Sequence, residues 1–282
     1  MVNVYETGPL EGQTAQSPVL TTAGAMEVRL AETGREVEAA QRLRYEVFYE
    51  EMNAQPSEEM RSLRRDFDRF DEFCDHLLVI DRDVLDTNGQ PSVVGTYRFM
   101  RDDGAARAGG FYTAGEFNIA PMLKKLPAGF KVLELGRSCI IKEYRIKPVT
   151  MQLLWKGVMA YVARFSIDLM IGCASLPGTD PDALATQLSY MHHFHPMPEG
   201  MEVRAQPDLY VEMNRIPKDQ IDPREALRTL PAMLKGYVRA GASIGEGAVI
   251  DRQFDTTDVL IFFPVAKINA RYRSRFGIKV KE

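Results

Sequence analysis

Glu134 and Arg137 stand three apart in KVLELGRSCIIKEYRIKP (131–148), a run that opens on the strand-forming residues Val132, Leu133 and Leu135. A carboxylate can take a proton, and a guanidinium can grip an anion with paired N–H groups. A buried strand normally excludes both, because an unpaired charge in apolar surroundings is costly. Successive strand residues face opposite sides, so these two diverge unless a bulge intervenes. Two readings follow from the spacing. Either this is an ion-paired strand end, or a bulge turns both groups toward one cleft and leaves backbone N–H groups facing a ligand. His192, His193 and His195 in SYMHHFHP form no i, i+4 pair and have no flanking acids, so no metal site is expected. A helix end that favours cations accounts for them.

The rest of the composition limits what such residues could serve. The chain has 282 residues, enough for a sizeable core, and a formal net charge of -4. An acidic total excludes a general polyanion binder and argues against nucleic acid, so any electrostatic partner must meet a local patch. Cys74, Cys139 and Cys173 are far apart with no CxxC pair, which fits a reducing cytoplasm rather than a disulfide framework. The N-terminus lacks the basic start and apolar core of a signal peptide. The longest apolar runs, such as VLIFFPVA (259–266), are too short to span a bilayer. The expectation is a cytoplasmic protein that could rest on the inner face of the plasma membrane.

The elements that must position these residues alternate along the chain. Residues 1–25 read as a flexible arm, 26–31 as a strand, and 35–52 as an amphipathic helix with Val37, Ala40, Leu43, Val47 and Phe48 at helical spacing. A charged segment, SEEMRSLRRDFDRFDEF, follows. Residues 74–83 and 92–101 form a hairpin around DTNGQ. The stretch 104–110 reads as a loop and FNIAPMLKKL as a short helix before the central strand. An apolar helix after Pro148, a strand at 169–177, a helix in PDALATQLSYMHHF and a late strand in TDVLIFFPV complete the order. The pattern suits a single α+β domain over 26–266 on a mixed sheet, with an extension from about residue 200 and a basic tail at 267–282.

That order, with a helix directly after a functional central strand, resembles the GNAT acyltransferase fold: a mixed, mostly antiparallel central sheet flanked by helices. The finer pattern is similar to that of the acyl-homoserine-lactone synthases. It is carried by Arg44 and Phe48 on the first helix, Asp68 and Asp71 in FDRFD, Arg98 in GTYRFM, and the Glu-x-x-Arg of Glu134 and Arg137. Over most of the chain, RLRYEVFYEEM, FDEFCDHLLVID, VVGTYRFM, ELGRSCI and PAMLKGYVRAGASIGEGAVIDRQFDTTDVLIF resemble the bacterial ornithine N-acyltransferases that make lyso-ornithine lipid. The late block is absent from autoinducer synthases and separates the two relatives.

The resemblance implies transfer of a 3-hydroxyacyl chain from acyl carrier protein to the α-amine of ornithine, with no cofactor beyond the carrier's phosphopantetheine thioester. Acetyl-CoA-using relatives have a Gly-rich pyrophosphate loop after the central strand; here EYRIKPVT has no glycine, which favours the carrier protein over CoA. Glu134 is expected to accept the amine's proton, with Arg137 as its catalytic companion. Backbone N–H groups near Leu135 to Ser138 would polarise the carbonyl. Arg98 and Arg44 are candidates for the ornithine carboxylate, Asp68 and Asp71 for its side-chain ammonium or for ordering their loop, and Phe48 completes the substrate set. Cys74, beside Asp75 and His76, could suggest a nucleophile, but the superfamily uses direct attack. An acyl tunnel between splayed central strands would be lined by Phe99, Met151, Leu154, Trp155 and Met159. Lys142, Arg145 and Lys147 would dock the acidic carrier, and the basic tail could meet anionic lipid. Rival readings are the same chemistry on glutamine, glycine or lysine, autoinducer synthesis, and a non-catalytic acyl-chain or carrier-protein binding module.

Overall fold

The computed structural model describes residues 17–276. The expected arm to residue 16 and the basic tail from residue 277 lie outside the described residues. In chain order the strands and α-helices are β1 (Val19–Ala23), β2 (Met26–Leu30), α1 (Gly34–Tyr45), α2 (Glu58–Leu63), β3 (Asp75–Leu85) and β4 (Pro91–Arg101). Next come α3 (Asp102–Ala108), α4 (Ala120–Lys125), β5 (Val132–Ile140), α5 (Lys142–Arg145), α6 (Pro148–Phe165) and β6 (Leu169–Pro177). The chain closes with α7 (Ala185–Phe194), α8 (Pro223–Thr229), α9 (Ala232–Ala240), β7 (Ser243–Asp251), β8 (Thr256–Pro264) and α10 (Ala270–Phe276). The fold is α+β, an eight-stranded, mostly antiparallel sheet flanked by helices.

The chain divides into two compact units. One holds the chain up to Phe99 together with Gly136–Phe165; the other holds Met100–Leu135 and the chain from Ser166 onward. Strand β5 starts in the second unit and ends in the first.

In the first unit β1, β2, β3 and β4 pair antiparallel in sequence order. The expected arm is therefore a strand over Val19–Ala23, paired with Met26–Arg29. Helix α1 opens on a capping box: Thr33 accepts from the Glu36 amide, and the Glu36 carboxylate returns to Thr33 N. Its buried face carries Gln41 and Arg44 beside Ala40 and Leu43, which sends polar groups inward. At Glu46–Glu51 the helix widens to a π-helical turn instead of running straight to residue 52. Helix α6 lies so close to β2 that a Cβ on Gly157 would sit 2.5 Å from Val28 Cγ1, so glycine is required there.

In the second unit β5 runs parallel to β6 over Val132–Glu134, and β6 pairs antiparallel with β8 from Leu169↔Pro264 to Pro177↔Thr256. Strand β7 covers the other edge of β8. The expected late extension is therefore part of the sheet. Two elements differ from the sequence reading. The 104–110 loop is mostly α3, because alanines favour helix and Gly109, at φ 79°, ends it. Helix α7 starts at Ala185 rather than at Pro181, after a turn in which Asp182 N donates to Asp180 Oδ1.

Candidate active site

In the first unit, α1, the loop after α2, β3, β4 and the end of β5 bring three arginines and three aspartates together. Asp66 is at the bottom. Its Oδ2 accepts from Arg44 Nε at 2.6 Å and lies 3.4 Å from Arg137 Nε, while Oδ1 accepts from the Tyr49 hydroxyl at 3.0 Å. Asp71 takes Arg44 Nη2 on both oxygens, at 3.0 and 2.9 Å, and Arg98 Nη1 at 3.3 Å. Asp68 is shared between Arg98 Nη1 at 2.7 Å and Arg137 Nη2 at 3.1 Å. The six formal charges cancel, which is what permits so many in the interior.

Burial alone would push the carboxyls of Asp66 and Asp71 up, but the arginines, Arg44 foremost, outweigh it and hold both below the usual carboxylate range. Arg98 is driven down by burial and by Arg137, yet Asp68 and Asp71 hold it above its ordinary value.

His76 completes the cluster as a neutral ring. Its Nε2 donates to the Asp71 carbonyl at 3.1 Å, and Nδ1 faces Arg44 Nη1 at 3.5 Å, so a second proton has no place. Burial, then Arg44, push its pKa down to about 4 against the pull of Asp71. Unfolded chain therefore binds more protons than folded chain between pH about 4 and about 6.5, and stability must rise with pH across that window. Urea unfolding should show about 2 kcal/mol less stability at pH 5 than at pH 8. His76→Gln should flatten the slope; an unchanged slope would place the titration elsewhere.

One edge of the cluster is open. The Asp68 side chain is 21% exposed and that of Arg137 12%, against 0% for Arg44 and 1% for Asp66. Arg137 reaches this edge from a left-handed backbone, φ 52°, inside β5. Strict strand alternation is thus broken there.

Glu134 belongs to the second unit. It is buried, and its carboxylate is held by two backbone amides from the turn that begins at Tyr112: Thr113 N donates to Oε1 at 2.7 Å and Tyr112 N to Oε2 at 3.1 Å. The Cys173 thiol donates to Thr113 Oγ1 at 3.9 Å, and burial followed by the charges of Glu116 and Asp258 keeps that thiol well above its ordinary pKa. Glu116, Asp251 and Asp258 converge so that one oxygen from each lies within 4.8 Å of the others, an arrangement that could hold a cation. Sequence reading missed it because the three carboxylates are brought together only by the fold.

The acetyltransferase (GNAT) domain matches residues 43–156. The chain is 46% identical over 261 residues to an L-ornithine N(alpha)-acyltransferase of Rhizobium meliloti (strain 1021), covering 93% of this chain and 87% of that protein. It is 47% identical over 255 residues to the L-ornithine N(alpha)-acyltransferase of Agrobacterium fabrum (strain C58 / ATCC 33970), covering 90% and 86%. The chain belongs to the L-ornithine N(alpha)-acyltransferase family. Among solved structures, the AHL synthase LasI superposes with a TM-score of 0.48 at 12% identity, covering 91% of this chain and 98% of that one.

Within this acyltransferase several expected roles change. Arg44 is offered by the sequence as a grip for a substrate carboxylate, but it is fully buried and its donors go to Asp66 and Asp71. It is a foundation of the cluster. Asp71, offered by the sequence for the substrate ammonium or for ordering the loop, is committed to Arg44, Arg98 and the Asp68 amide. Phe48 is half-buried against Leu43, Val47 and Cys139. Of the acyl-tunnel set, Phe99 is fully buried with its ring centre 4.6 Å from that of Tyr161. Leu154, Trp155 and Met159 are buried on α6, and Met151 is half-buried. Arg145, expected at the carrier, is paired with Glu51 through two nitrogens and donates to Ile140 O at 2.7 Å. His193 and His195 turn to separate partners, Ile216 O and the Tyr190 hydroxyl.

Proposed function

We propose that this acyltransferase moves a 3-hydroxyacyl chain from acyl carrier protein to the α-amine of ornithine, giving lyso-ornithine lipid. The observation that carries the acceptor is the 46–47% identity to L-ornithine N(alpha)-acyltransferases over at least 90% of the chain. The absence of glycine between β5 and α6 supports the carrier protein as donor, since a backbone cradle for a diphosphate needs the close approach that glycine allows.

The neutral α-amine attacks the thioester carbonyl, the C–N bond forms, and the C–S bond breaks to release the phosphopantetheine thiolate. Glu134 takes the proton that the ammonium must lose, directly or through one water, and that proton is available to the departing thiolate. Fixing the carboxylate on two amides restricts its motion and so favours a reproducible geometry. Arg137, with Arg98 behind it, meets the ornithine carboxylate, and Asp68 at the open edge meets the δ-ammonium. The fatty chain runs beside α6 where Met151 is half-buried. Arg271 and Arg273 of α10 contact anionic lipid when product is released.

Among the described residues no helix is long and apolar enough to cross a membrane. Mass spectrometry of the product formed from 3-hydroxyacyl carrier protein and a pool of amino acids tests the reading. An acylated ornithine is expected; acylation of another amino acid, or a lactone from S-adenosylmethionine, would replace it.

Asp68→Asn supplies a finer test. A charge-assisted hydrogen bond contributes about 1.5–3 kcal/mol, so KM for ornithine should rise by tenfold or more. Norvaline, which lacks the δ-amine, should be turned over equally by both proteins. A matching loss on norvaline would give Asp68 the loop-ordering role that its bond to Phe70 N at 2.8 Å also allows.

A further inference from the structure

Strand β5 gives way at once to a short basic protrusion. Ile146, just beyond α5, is 84% exposed, more than any other large apolar side chain among the described residues. Val149, three residues on and at the start of α6, is 41% exposed. Exposed Lys142 and Lys147 flank them, and Lys147 Nζ lies 3.7 Å from the centre of the Tyr144 ring.

The protrusion is anchored from below. The Tyr144 hydroxyl donates to Asp81 Oδ2 at 2.7 Å, and Arg145 is tied to Glu51 and to Ile140 O. Arg145 thus holds α5 in place and its charge is already answered, which leaves Lys142 and Lys147, with a single exposed acid, Glu143, between them, to face outward. An apolar tip on a rigid base loses little conformational entropy when a partner covers it.

We propose that Ile146 and Val149 are the apolar centre of the docking surface for acyl carrier protein, with Lys142 and Lys147 as its charged rim. The assignment rests on the proposed carrier-protein donor and adds the residues that grip it. Charge complementarity selects the occupant: a small apolar tip between lysines fits an acidic protein face that offers an apolar recess. Position supports it as well, since five residues separate Lys142 from Arg137 and an extended chain of that length spans at most about 18 Å. A prosthetic arm arriving here is close to the strand that carries Arg137. A lipid surface fits less well, because interfacial helices bury a long apolar face and this one offers two side chains.

The experiment compares steady-state kinetics of the full chain with 3-hydroxyacyl carrier protein and with the same acyl group on pantetheine. Ile146→Glu should raise KM for the carrier-borne donor by about tenfold or more, as for a central interface residue. It should leave KM for the pantetheine thioester, KM for ornithine and kcat within about twofold. Lys142→Glu with Lys147→Glu should reproduce the rise and abolish its salt dependence. An unchanged carrier KM in Ile146→Glu overturns the docking assignment while leaving the donor intact. Loss of binding to vesicles of anionic lipid with unchanged carrier KM overturns it in favour of a membrane contact. If the unaltered protein turns over the pantetheine thioester and never the carrier-borne one, the carrier-protein reading itself falls and the surface with it.

Discussion

Glu134→Gln is expected to lower kcat by a hundredfold or more, the usual range for removing a general base. The amide keeps the size and one oxygen of the carboxylate. It loses the ability to accept a proton, and its NH2 must face one of the two backbone N–H groups that now donate to it, Thr113 or Tyr112. That donor-to-donor contact should cost about 1–3 kcal/mol of stability. Urea unfolding must therefore accompany the rate measurement, so that turnover is compared at equal folded fraction. Ornithine KM should move little if the side chain acts only on the proton. A folded variant with unchanged kcat would return Glu134 to a structural role, fastening the Tyr112–Thr113 turn to β5.

Arg44→Ala should be the most damaging substitution for stability in the first unit, at about 3–5 kcal/mol. The guanidinium answers Asp66 and Asp71 at once, and its removal leaves two carboxylates in an interior where they are 1% and 8% exposed. Burial, which already opposes their ionisation, would then face weaker competition from Arg98 and Arg137. Both should take up protons at higher pH, and the variant should gain stability as pH falls toward 4 where the parent loses it. Combining Arg44→Met with Asp66→Asn leaves two guanidiniums against two carboxylates and should recover a large part of the loss. Denaturant midpoints of the three proteins decide the matter. A single-variant loss under about 1 kcal/mol would mean that Arg44 is not the keystone described.

Much of the fold can be read from periodicity. The hairpin of β3 and β4 follows from two β-rich runs around DTNGQ, and α6 from its apolar spacing after Pro148. Strand β7 is harder to see. Gly245 and Gly247 interrupt its pattern, and its register with β8 shifts between Ile244 and Ala248. The site is legible in its motifs but not in its allegiances. Arg44, Asp68, Asp71, Arg98 and Arg137 all enter one cluster, yet Asp66, its most deeply held acid, stands in RRDFDRFDEF and reads there as part of a solvated face. The only local signal is the Phe67 and Phe70 set between the acids.

By itself, the amino-acid order determined which charges exist, the succession of elements that carries them, and the family to which the chain belongs. Tertiary structure decided which charge answers which. Arg44 finds Asp71 across 27 residues and Arg137 finds Asp68 across 69, distances over which helical and strand spacing hold no information. Burial makes those choices, because in a low-dielectric interior a carboxylate must meet a guanidinium or other donors or give up its charge, and only the folded chain fixes which ones are near enough.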